Sequence, residues 1–177
     1  MSAVIREARL RELAGGWIGQ GITVAAPVRV KPALIQYARI PEAGRMLLGG
    51  FIRPANSIKE FFFPRHEKLY SYRVQGRVIE LIDADVPATP RVILGARPCD
   101  AAALPILDHI FNWDYRDEFY FTRRNNTAIV TIACARHDDC CFCTSVGLGP
   151  ASGKGSDAML LELGGGEYEV RCFTDKG

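Results

Sequence analysis

Arg91-Val92-Ile93-Leu94-Gly95, running on into Ala96-Arg97-Pro98-Cys99-Asp100, and a second apolar run, Thr127-Ala128-Ile129-Val130-Thr131-Ile132-Ala133-Cys134, decide the fold. Each is a continuous, β-branched stretch with no polar alternation, the pattern of a strand buried on both faces. Residues 100–111 between them have helical spacing, and residues 117–124 suggest a second helix leading into the second strand. Strand, helix, strand in that order predicts a parallel pair joined by a right-handed crossover. Both strands then end in a cysteine at the same carboxyl edge, where α/β sheets usually place ligands. Asp100 suits an N-cap for a helix beginning at Ala101, which sets Cys99 beside the positive helix end and favours its thiolate.

Outward from this pair, residues 22–40 are apolar and β-branched but broken by Pro27 and Pro32, predicting two short strands and a turn, with Pro27 at an edge or a strand end. Residues 68–74 and 77–82 flank Gln75-Gly76 as a hairpin. Residues 158–163 and 168–173 form another around three glycines. Residues 2–13 predict a surface helix stopped by Gly15-Gly16, and residues 41–51 another short helix. Residues 86–90 form a proline-rich joint. The aromatic triplet Phe61-Phe62-Phe63 cannot all be buried on a strand with one wet face, so it suggests a subunit contact or a strand covered on both faces. The fold expected is α/β, a single domain over residues 1–177, with a mixed sheet, a parallel strand-helix-strand unit and antiparallel hairpins.

Composition narrows the function. With 48% hydrophobic residues in 177, a buried core forms without help from a metal. The net charge of +2, from 22 basic and 20 acidic residues, gives no strong field, so nucleic acid is not the expected partner. No window has the apolar length of a membrane span and no apolar signal core opens the chain, so a cytoplasmic protein without membrane contact is expected.

Six cysteines, four of them at positions 134–143, are poorly arranged for disulfides. Cys141 and Cys143 are one residue apart, and Cys140 and Cys141 are adjacent. Soft thiolates suit zinc or an iron–sulfur cluster, and four complete either site. A structural zinc site typically has two Cys-x-x-Cys knuckles; here there is only Cys141-Phe142-Cys143 plus ligands from two strand ends. Spacing therefore favours a cluster and leaves open zinc, redox thiols using Cys140 or Cys141 with Cys143, and an inert cysteine-rich loop.

Gly95-Ala-Arg-Pro-Cys-Asp-Ala-Ala-Ala-Leu, then Cys134, then Cys141-Phe-Cys-Thr-Ser-Val-Gly-Leu-Gly-Pro, with Ser57-Ile-Lys-Glu-Phe-Phe-Phe-Pro and Glu67 upstream, resembles the family formed by sulfhydrogenase beta subunits and the A subunits of anaerobic sulfite reductases, over residues 22–168. The resemblance implies a protein of anaerobic metabolism with a 4Fe-4S cluster held by Cys99, Cys134, Cys141 and Cys143. It implies a non-catalytic electron-transfer component of an oxidoreductase complex. Such a component works between a reductase subunit that binds flavin and NAD(P)H and a catalytic subunit of the hydrogenase or sulfite-reductase type. Family members usually continue into a ferredoxin-like module with repeated Cys-x-x-Cys sequences, which is not seen here, so the chain is either a fragment or a shortened form.

Beside these ligands, Cys140 is expected to be a bystander thiol, Cys172 a small buried hydrophobe, and His137, His66 and His109 ordinary surface residues. Arg97 is positioned to offset the charge of a thiolate-bound cluster and to donate hydrogen bonds to its sulfurs. Gly153-Lys154-Gly155 lacks the spacing of a phosphate loop.

Overall fold

The computed structural model describes residues 2–86 and 88–177; Pro87, inside the proline-rich joint, lies outside the described residues. The chain opens with strand β1 (Ser2–Arg6) and helix α1 (Glu7–Gly19). Strands β2 (Thr23–Lys31) and β3 (Leu34–Arg39) follow, then an isolated hairpin of β4 (Tyr70–Gln75) and β5 (Val78–Asp83). Strand β6 (Arg91–Ala96) runs into helices α2 (Pro98–Ala102), α3 (Leu104–Ile110) and α4 (Glu118–Asn125). Strands β7 (Thr127–Ile132), β8 (Ala158–Gly164) and β9 (Glu167–Cys172) complete the fold.

Seven strands form one mixed sheet in the order β1-β9-β8-β7-β6-β2-β3. The predicted parallel pair is its centre: β6 pairs with β7 from Arg91↔Thr127 to Ala96↔Thr131, and parallel pairing extends outward to β2 and β8. Antiparallel β3 closes one margin, and β9 with β1 the other. Pro27 falls just beyond Ala25, where the ladder between β2 and β6 stops, so its missing N–H costs no bond on that side.

Alternation along β6 explains the layers. Val92 and Leu94 join Leu10 and Ala14 of α1 on one face, whereas Ile93 joins Ala101, Leu104, Tyr120 and Ile129 on the other. Helix α1 therefore covers one face and α2, α3 and α4 cover the opposite one. On that second face Tyr120 stacks on Phe111 with ring centroids 4.3 Å apart.

Several local expectations give way to packing. The predicted surface helix over residues 2–13 is instead edge strand β1 followed by α1, which continues through Gly15-Gly16. Helical glycines cost about 1 kcal/mol each relative to alanine, but Trp17 and Ile18 beyond them pack against the core. Residues 41–51 hold only a 3-10 turn, Ala43–Arg45. The aromatic triplet is not on a strand: Phe61 ends a 3-10 turn, Ile58–Phe61, and Phe62 and Phe63 follow it, Phe62 buried and Phe63 exposed. The helix expected over residues 100–111 breaks at Ala103 into α2 and α3, with Pro105 at the start of the second. Hairpin β4–β5 leaves Tyr70, Tyr72, Val74, Ile79 and Leu81 exposed. Among the described residues no helix is long and apolar enough to cross a membrane.

Candidate functional site

The parallel pairing of β6 and β7 brings Cys99 and Cys134 out at one carboxyl edge. Strand β6 turns directly into α2, of which Cys99 is the second residue. That turn is fixed from below: the Arg97 backbone N–H donates to the buried Tyr37 hydroxyl at 3.0 Å, and the Ser57 hydroxyl donates to Asp100 Oδ1 at 2.7 Å. Burial, and next the Asp100 charge, push Tyr37 well above its ordinary pKa, which keeps it a neutral hydroxyl.

Asp100 is therefore not the N-cap expected from sequence. The cap position is Arg97, without a side-chain bond, and the Asp100 carboxylate is engaged by Ser57 within the first turn. The thiolate favoured at Cys99 meets opposing influences: partial desolvation, then the charges of Asp100 and Cys134, raise its pKa, although the residue itself is exposed at the sheet edge.

Strand β7 hands over to a folded loop. The Cys134 N–H donates to Pro150 O at 2.9 Å, closing the loop at its base. Inside it, Asp138 Oδ1 accepts from the Cys140 N–H at 3.0 Å and from Cys141 Sγ at 3.4 Å. A 3-10 turn, Cys143–Val146, follows, and the Leu148 N–H returns to Cys143 O at 2.9 Å. Arg53 pairs with Asp138 at 3.2 Å and ties the loop to residues 51–55.

All six cysteines are free, with Cys134 and Cys143 partly buried and Cys99, Cys140 and Cys141 exposed. Cys134 is the electrostatic centre. Its pKa is raised by burial, lowered by Arg97, and raised again by Cys141 and Cys143, while Cys134 in turn raises Cys99. Each of these four thiols thus lies in the field of at least one other. Among the described residues no three His, Cys, Asp or Glu side chains already stand close enough together to hold an ion. Cys172 differs from expectation: it ends β9 and is exposed, since the alternation that would bury it lapses at the strand terminus. His137 is exposed on the loop, as expected.

Sequence reasoning missed Tyr37, Phe51 and Asp138. Phe51 offers its carbonyl to Arg97 at 2.8 Å, and its ring lies 4.5 Å from the Arg97 guanidinium carbon. These contacts join positions 46 to 85 residues apart, and no local period announces them. A cavity of about 850 Å³, lined by Arg39, Arg91, Glu67 and Arg123 among others, has no cysteine in its wall among the described residues.

Fold and site together define a mixed-sheet α/β domain that carries thiols at the carboxyl edge of its central parallel strands. Over 119 residues, 67% of its length, the chain is 33% identical to Sulfhydrogenase 2 subunit beta of Pyrococcus furiosus. That similarity bears out the resemblance to the sulfhydrogenase beta subunit family drawn from the cysteine motifs. The chain spans about a third of the length of that relative, 33%. No family model matches the chain, and no solved structure matches it.

Proposed function

We propose that this chain is an electron-relay subunit that holds one 4Fe-4S cluster through Cys99, Cys134, Cys141 and Cys143. What supports the reading is the topology: the parallel pairing of β6 and β7 brings Cys99 on α2 and Cys134 after β7 out at one sheet edge, and Cys141 and Cys143 lie on the loop that follows. Four soft thiolate donors suit iron–sulfur chemistry. When bound, such a cluster carries one electron at a time.

The residues of the chain would then have separate tasks. Tyr37 and Ser57 hold the turn bearing Cys99, and Pro150 O fixes Cys134. Asp138 organises the loop around Cys141. The buried guanidinium of Arg97 beside these thiols is what a negatively charged occupant requires. Cys140 remains a bystander.

Electrons would pass between a reductase subunit that binds flavin and NAD(P)H and a catalytic subunit of the hydrogenase or sulfite-reductase type. The exposed apolar residues of hairpin β4–β5 and the relative's name as a subunit both favour work inside an assembly. The test is anaerobic preparation with iron and sulfide. Brown protein with about four irons per chain, bleached by dithionite, is expected. A colourless protein holding one zinc, or a metal-free reversible dithiol, would sink the reading.

A further inference from the structure

Among the described residues, Arg97 Nε is the buried side-chain polar atom left without a hydrogen-bond partner. Its residue is only 6% exposed. One terminal nitrogen donates to Phe51 O at 2.8 Å, and the Phe51 ring covers the guanidinium, with 4.5 Å from its carbon to the ring centroid. No carboxylate pairs with it among the described residues.

A cation so deeply buried, with an open donor and no counter-charge, is an unfavourable arrangement unless something negative completes it. The aromatic cover excludes water from one side, so whatever charge arrives interacts through a poorly screened medium. Arg97 follows the last residue of β6, which lies parallel and next to β7, the strand that hands over to Cys134, so the unpartnered Nε sits at the edge where that thiol emerges. A neutral thiol gives the Nε–H little to bond, whereas a deprotonated, iron-bound sulfur is an acceptor carrying charge.

We infer that Arg97 is a positioning residue for the thiol site: its Nε–H donates to the Cys134 sulfur once that sulfur ligates the cluster, and its buried charge raises the cluster's reduction potential. This rests on the proposed function and goes beyond it, since it assigns the tuning of the site to one atom. The adjacent backbone serves the same end. The Arg97 N–H is anchored on Tyr37, so the side chain leaves β6 in a fixed direction.

The test is redox titration of the anaerobically loaded chain, followed by visible absorbance, for wild type, Arg97→Lys and Arg97→Gln. Lysine keeps the charge but has no Nε–H; glutamine loses both. The midpoint should fall in both variants and fall further in Arg97→Gln. There the oxidised-to-reduced ratio at a fixed potential should change at least tenfold, or about 59 mV for one electron. An unchanged midpoint in Arg97→Gln with iron and sulfide content intact would overturn the inference. Should that variant lose the cluster, Arg97→Lys decides: a lowered midpoint supports the directional bond, and a wild-type midpoint overturns it.

Pulsed EPR of the reduced wild-type protein carrying ¹⁵N-arginine needs no variant to fold. A weak ¹⁵N coupling that survives Arg53→Gln is expected; its absence, or its loss in Arg53→Gln, contradicts the assignment. Wild-type protein that takes up no iron removes the proposed function along with this inference. Brown protein whose midpoint ignores Arg97 removes the inference alone.

Discussion

Replacing Gly155 by alanine tests how the loop after the cysteines is docked on the element that bears Cys99. Gly155 has φ +76°, and a Cβ built there would stand 2.1 Å from Ala101 O, 2.7 Å from Ala101 C and 3.1 Å from Pro105 Cδ. Ala101 O and C are backbone of α2, so no side-chain rotation relieves the collision. The left-handed conformation alone costs an L-residue about 1–2 kcal/mol. Overpacking against fixed neighbours adds about 1–3 kcal/mol. The expected loss is therefore about 2–5 kcal/mol, a large share of the total stability of a typical domain. Gly147 supplies the control, because it has φ +72° with open space around its would-be Cβ. Gly147→Ala should lose only the conformational part, about 1–2 kcal/mol. Urea unfolding of the two variants in parallel, at a slope of about 2 kcal/mol/M, should place the Gly155→Ala midpoint lower by roughly 1 M than that of Gly147→Ala. Equal midpoints would refute the close docking of the loop on α2.

Cys134→Ser should abolish iron uptake and Cys140→Ser should leave it intact; iron analysis after anaerobic loading decides, and loss of the cluster in Cys140→Ser would refute the ligand set. Tyr37→Phe removes the acceptor of the Arg97 N–H and should cost about 1–3 kcal/mol in urea unfolding, the penalty of an orphaned buried donor. Asp157→Ala should lose a comparable amount, about 1–3 kcal/mol, because the Asp157 carboxylate accepts the buried Ile129 N–H at 2.8 Å; a loss below the error of the measurement would show that the amide finds another partner. Glu60 has its pKa lowered by Arg65 and next by Asn56, so its contribution is present above the unfolded-state carboxylate range and lost as pH falls through the folded value. Stability of Glu60→Gln should consequently depend less steeply on pH below about 4.5 than that of wild type, as read from thermal unfolding across pH 3–6.

The parallel centre of the sheet was legible because burial on both faces leaves a signature in consecutive residues: Val92, Ile93 and Leu94 are apolar since neither side of β6 meets water. The hairpin β4–β5 was legible from Gln75-Gly76, where turn chemistry is local. Helix α1 and strand β1 were misjudged for the opposite reason. Gly15-Gly16 is a local stop signal, but Trp17 and Ile18 pack on a core built from distant strands, and that packing outweighs the glycines.

The same division runs through the site. Cysteine spacing and the two strand ends brought the four thiols to one edge on paper, because parallel pairing fixes which ends of strands coincide. Spacing carries no information on what lies around them, and the environment sets the chemistry. From sequence, a helix start beside Cys99 favoured a thiolate; in the fold, partial desolvation and the Asp100 charge raise its pKa. The buried cation at this edge, Arg97, acts on Cys134 instead, and its setting depends on Phe51 and Tyr37, 46 and 60 residues away. Phe51 contributes a carbonyl as well as a ring, and a backbone group is identical at every position of a sequence. The residues that hold the thiols were therefore readable from side-chain identity, whereas the groups that set their charge balance are defined only by where the backbone of the 51–55 segment comes to rest.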